Sequence, residues 1–217
     1  LHGRIRAGLM NPVDWVVRRN FGFRMNEAAL HFLDDVRLFC PTADAGTMLR
    51  LDDIFDSYLV AGLPEELQRI LGNLVISCES EVPDFDFTKI QSLTASDSFG
   101  KDHNPHINGS WFRNLADWGR GMYAGDNLRS ETMEDWESNV RHIEGALNGG
   151  APLRVLYYEW YDRYVVSNQN GSHHSAKVIY QAIRDNISYN RKAVVEHLSI
   201  NADAVCELEA RYFAFIY

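Results

Sequence analysis

Asn168-Gln169-Asn170-Gly171-Ser172-His173-His174-Ser175-Ala176-Lys177 reads as a turn that runs straight into a helix. Asn-Gly is turn chemistry, because both residues tolerate backbone angles that others avoid. Beyond it, Ala176, Ile179, Tyr180, Ile183 and Ile187 recur at the spacing of one helical face. Ser172 stands where a helix N-cap is expected, with its hydroxyl available to a backbone N–H one turn on. The first turn of such a helix offers N–H groups without intrahelical partners and the positive end of the helix dipole. With two imidazoles beside it, this is the build of an anion or phosphate site.

Working back from that turn, Val155, Tyr157 and Glu159 alternate with Leu156, Tyr158 and Trp160. Tyr161-Asp162-Arg163 then makes a turn and Tyr164-Val165-Val166 returns. This is a β-hairpin. The hairpin followed at once by a helix decides the fold class: α+β, a single domain over 1–217, with a small mixed sheet packed by several helices.

The flanking chain fits that class. Asn26 caps a predicted helix to about Phe39, and Pro41 stops it. Pro64-Glu65-Glu66 opens a short helix ending near Gly72, with acids in its first turn. A short strand is expected over Leu74 to Ser77, and alternation resumes over Phe85 to Gln91. Residues 97–127, rich in Ser, Asp, Asn, Gly and His, read as a long loop, and such a loop usually borders a site. A helix follows from Ser130 to about Leu147. After the central motif come a strand over Val194 to Ile200 and a last helix capped by Asn201. Residues 1–25 mix Arg4, Arg6, Arg18, Arg19 and Arg24 with Trp15, Phe21 and Phe23 and read as an N-terminal arm.

Composition narrows the function. The net charge of −9 argues against a general nucleic-acid-coating role. No apolar run approaches the length of a membrane span, so no membrane association is expected. The three cysteines are odd in number and far apart, which points to a reducing, cytoplasmic compartment.

The strand–turn–strand unit, the Gly-containing polar turn with His, and the small residue early in the helix resemble the ParB/sulfiredoxin superfamily. Its members carry Asp-Gly-His-His-Arg, Gly-Cys-His-Arg or Gly-Glu-Arg-Arg turns in the same place. The resemblance covers about Leu153 to Asp185. Asn170-Gly171 and His173-His174 match, and Ser175 stands where Arg is usual, leaving Lys177 as the candidate cation. The superfamily includes CTP-dependent partition proteins, ATP-using sulfiredoxin and a free-serine kinase. The resemblance therefore implies that the turn and helix start bind nucleotide phosphates, with ATP or another nucleotide and Mg as the cofactors to consider. Leu93-Thr94-Ala95-Ser96 with Phe99-Gly100, followed by Gly-Ser-His-His, also resembles an uncharacterised family of bacteria and their phages, which implies no activity.

These readings give a binding set of Asn170, Gly171, Ser172, His174, Ser175 and Lys177. They also give an acid–base pair, Glu159 and His173, should both face one cleft. The expected function is binding of a phosphate-bearing small molecule, of the nucleotide class, with phosphotransfer or nuclease-like activity left open. The alternative is a non-catalytic phage-type protein that binds and modulates a host protein, in which the motif is only structural. No metal site is expected: Asp102, His103 and His106 have ligand types, but Pro105 interrupts the spacing a helical zinc pair needs. Trp111, Phe112, Trp118 and Tyr123 either stack a base or form a satellite core.

Overall fold

The computed structural model describes residues 41–48, 50–52, 62–94, 99, 109–122, 128–146, 150–167 and 170–212. The N-terminal arm and the helix expected after Asn26 lie outside these residues, as do Asp102, His103 and His106. Among the described residues are five α-helices and a five-stranded mixed sheet, an α+β fold.

The sheet is β1 (Val75–Asp86), β2 (Ile90–Leu93), β3 (Leu153–Tyr158), β4 (Arg163–Val166) and β5 (Asn190–Ile200), in the order β1-β5-β3-β4-β2. β3 and β4 are the hairpin expected from alternation, paired from Val155↔Val166 to Tyr158↔Arg163. Residues Glu159–Tyr161 form a 3-10 turn closed by Asp162 in the left-handed region, at φ 48. β5 lies parallel to β3 and antiparallel to β1, while β2 lies parallel to β4.

β1 is longer than the short strand expected. It runs through Cys78 to Asp84, which show no apolar alternation, because nearly all of it is an exposed edge strand. Pro83 is tolerated there since the register with β5 shifts between Val82 and Phe85.

The helices are α1 (Glu65–Gly72), α2 (Leu115–Gly121), α3 (Met133–Ala146), α4 (Ser172–Asp185) and α5 (Ala202–Arg211). Asn201 caps α5 as expected, its Oδ1 accepting from the N–H groups of Asp203 and Ala204. α4 is the central helix. Ala176, Val178, Ile179 and Ala182 are buried with Val155, Val166, Ala193 and Val195 of the sheet and Leu115, Trp118 and Ile143 of α2 and α3. The other side of the sheet carries a smaller cluster, where Ala45 and Met48 meet Tyr158, Val165 and Leu198.

The stretch read as a long loop is corrected in its middle. Residues 115–121 are helical, with Asn114 as N-cap accepting the Asp117 N–H at 2.8 Å. Two glycines, Gly119 and Gly121, disguise this helix by weakening its propensity. Gly119 is there for packing: a Cβ on it would come within 2.0 Å of the Ala176 carbonyl oxygen. α2 and α4 therefore cross with their backbones in contact.

Candidate functional site

The central helix begins at Ser172, as expected, but Ser172 is not its cap. Gly171 is the N-cap, at φ 77 and ψ 17, and offers no side chain to the first turn. The left-handed conformation there costs a side-chain-bearing residue about 1–2 kcal/mol and glycine nothing. Ser172 is thereby placed inside the first turn and buried, and the first intrahelical bond runs from the Ser175 N–H to the Gly171 carbonyl at 2.8 Å.

The described residues include five α-helices, and α4 differs from the other four at this end. Each of the others carries at least one acidic residue in its first turn: Glu65 and Glu66 in α1, Asp117 in α2, Glu134 and Asp135 in α3, Asp203 in α5. α4 has none and has no side-chain cap bond. Its dipole is met at the far end alone, by Arg184 in the last turn.

The two histidines go to different neighbours. The His173 ring packs on the fully buried Trp118 of α2, with centroids 5.1 Å apart. Trp118 is thus part of the main core, not a base-stacking platform or a satellite. The His174 ring stacks on His142 of α3 with centroids 3.7 Å apart and planes at 22°. Its Nδ1 lies 2.8 Å from Oδ1 of Asn139. The Asn139 amide is oriented by its other half, since Nδ2 donates to the Arg129 carbonyl at 2.7 Å. Oδ1 must therefore accept, and His174 must donate from Nδ1, which leaves Nε2 as the unprotonated nitrogen.

Burial first, then the charges of His142 and His173, push the His174 pKa down to about 4. A protonated His174 is therefore no part of an anion site near neutral pH. The ring is neutral through the physiological range, so its protonation cannot strengthen anion binding between pH 8 and pH 6.

Lys177 is only 4% exposed, and burial pushes its pKa down against the pull of the Glu131 carboxylate. Its side chain is largely interior, and the charge that bears on it is Glu131, just before α3. Ser175 is buried as well, while Asn170 is exposed.

Glu159 and His173 are not brought together. Glu159 is exposed in the turn that opens β4, and α4 follows the other end of β4. The four residues of β4 alone span roughly 13 Å. That turn packs against β5, whereas α4 packs against α2 and α3. A hairpin places its turn and its exit at opposite ends, and the acid–base pair expected from sequence fails on that ground. Among the described residues no three side chains of metal-ligating type converge.

Sequence reading missed Asn139 and His142, and it singled out Trp118 without seeing that it belongs to the main core. Asn139 left a trace: it falls between Trp136 and Ile143 on the buried face of α3, a polar residue at a core position.

Residues 83–217, more than half of the chain, match the family model described as a family of unknown function, DUF6685. The chain belongs to that family. The DUF6685 match begins near the end of β1 and takes in the hairpin, α2, α3 and the whole start of α4. No curated protein and no solved structure matches the chain. No helix among the described residues is long and apolar enough to cross a membrane.

Proposed function

We propose that this DUF6685 protein binds the phosphate group of a small molecule, of the nucleotide class, at the amino end of α4. The observation that carries the reading is the absence of any acidic residue from the first turn of that helix. Fourteen residues of aligned peptide dipoles end at a glycine cap that makes no side-chain cap bond, with no acidic residue in the first turn. An anion arriving from outside supplies the negative charge that Asp or Glu supplies in the other four helices. The resemblance to the ParB/sulfiredoxin superfamily points to the same turn. The glycine also leaves the approach without a side chain.

The proposal is for binding. The general-base role considered for Glu159 has no geometry to stand on, and His174, with Nδ1 committed to Asn139, is held by the fold.

The test is a thermal-shift titration with inorganic phosphate, AMP and ATP, each against chloride at matched ionic strength. A ligand held by the native state at a hundredfold excess over its Kd adds about 2.7 kcal/mol, so the melting temperature rises with ligand concentration. Identical melting curves in all phosphates and in chloride would overturn the proposal and leave the motif as a purely structural helix start.

A further inference from the structure

β1 is an edge strand. It pairs with β5 on one side, and among the described residues no strand pairs with its other side. Every second residue of such an edge turns its N–H and C=O outward, a ready template for another strand. At 12 residues β1 is about twice the usual length of a strand.

Folded proteins protect long edges with proline, bulges or short strands. β1 has these devices at one end only. Pro83 and the register shift between Val82 and Phe85 interrupt its last part. From Val75 to Val82 the pairing with β5 runs unbroken, eight residues in register from Ile200 back to Ala193. Ile76 is 51% exposed, and Ser77 to Glu81 are exposed as well.

Charge is what this stretch carries instead. β1 has four acidic residues and no Lys or Arg. Glu79 and Glu81, two apart, stand on one face. The register sets Glu79 directly opposite Glu196 of β5, and like charges so placed repel. Among the described residues, Arg154 of β3 is the cation paired with this group, its Nη1 3.3 Å from Glu79. A second copy is a poor match for the edge, since β1 laid against β1 joins two wholly acidic strands. The same charges favour a strand of opposite sign, so they select a partner as well as exclude one.

We propose that the Val75–Val82 edge of β1 is a docking site for an extended segment of another protein that carries Lys or Arg at alternate positions and adds to the sheet as a further strand. Main-chain bonds hold the segment, and Glu79 and Glu81, with Glu196 behind them, choose it by charge. On the other face of the edge Ile76, Cys78, Ser80 and Val82 take the intervening side chains.

The experiment titrates the full chain with a fluorescent peptide of alternating Arg and Thr. Two controls are its counterpart with Glu for Arg, and the Arg peptide methylated on its backbone nitrogens. Amide hydrogen exchange is followed over Val75–Val82. The Arg peptide is expected to bind saturably and to slow exchange of the outward-facing amides there, and the Glu peptide not to bind. Methylation keeps the charge, removes the donors and weakens binding by more than about tenfold. Glu79→Gln combined with Glu81→Gln, both on the surface and so harmless to the fold, weakens it about fivefold. No binding of the Arg peptide would overturn the proposal. Binding indifferent to methylation would overturn it by showing a charged surface without strand addition, and binding indifferent to the two substitutions would overturn the selection by charge. Outward-facing β1 amides already protected in the free protein would also overturn it. Protection that grows with protein concentration assigns the edge to a second copy, and protection that does not assigns it to a segment of this chain.

Discussion

His174 donates its Nδ1–H to Oδ1 of Asn139 across 2.8 Å, and this bond fixes both the tautomer of the ring and the seam between α3 and α4. Asn139 is buried and uses its other half on the Arg129 carbonyl. Replacing it with Leu leaves a buried imidazole N–H and a buried carbonyl without partners. Each such group costs about 1–3 kcal/mol, less what the new methyl groups return, so Asn139→Leu destabilises the fold by about 2 kcal/mol. Urea unfolding followed by circular dichroism checks this. The midpoint should fall with the slope unchanged.

The same seam sets an acid response. The folded protein holds the His174 pKa at about 4, below the ordinary 6.5. A depressed pKa means that the folded state resists the proton that the unfolded chain accepts. The stability tied to the neutral ring is complete above about pH 6.5 and is lost as pH falls through about 4. The charges bearing on the ring are those of His142 on α3 and His173 beside it on α4. His174→Gln, which keeps a donor toward Asn139, should flatten the melting temperature between pH 6.5 and pH 4 relative to wild type. Parallel pH profiles for the two proteins would show that the ring is not what titrates.

The helix crossing at Gly119 predicts a sharp steric cost. A Cβ there meets the Ala176 carbonyl oxygen at 2.0 Å, and a backbone atom in the middle of a helix has nowhere to go. Gly119→Ala should cost about 3 kcal/mol by forcing α2 off α4. Calorimetric melting gives the loss. An alanine variant as stable as wild type would show that the helices do not cross in contact.

How far the sequence carried the structure depends on the range of each signal. Asn201, Pro64 with Glu65, and the alternation from Val155 act within a turn or a strand, and each produced the element expected, although the strand ends at Tyr158 and Glu159 and Trp160 fall in the turn. At the Gly171 turn the reading missed the cap by one residue, because a glycine in the left-handed region caps the helix before the serine can. α2 was read as loop because its two glycines and polar neighbours hide a short helix whose purpose is a close crossing. The start of α4 was legible as a helix start and the surroundings of its side chains were not. Both partners of His174 sit on α3, and Asn139 is 35 residues away in the chain. Nothing local says that His174 is neutral or that Lys177 is inside.

Gly171 can be probed without touching any side chain of the site. Its φ of 77 predicts that Gly171→Ala loses about 1–2 kcal/mol and that Gly171→Asn loses clearly less, since Asn tolerates the left-handed region. Equal losses for the two variants in denaturant titrations would place the cost elsewhere.

Glu159 supplies the negative control. It is exposed, in the turn at the opposite end of β4 from the helix start. Glu159→Gln should leave the affinity for phosphate within about twofold of wild type, as distant sites contribute independently. A large change would return Glu159 to the site.

A phosphate held at the amino end of α4 would leave its mark on the backbone N–H groups there. The most direct test is a titration of uniformly ¹⁵N-labelled protein with inorganic phosphate, followed amide by amide in two-dimensional NMR spectra. Saturable shifts concentrated on the N–H groups of Ser172, His173, His174 and Ser175 are expected. Saturable shifts centred elsewhere, or none at phosphate concentrations well above those of a working ligand, would contradict it.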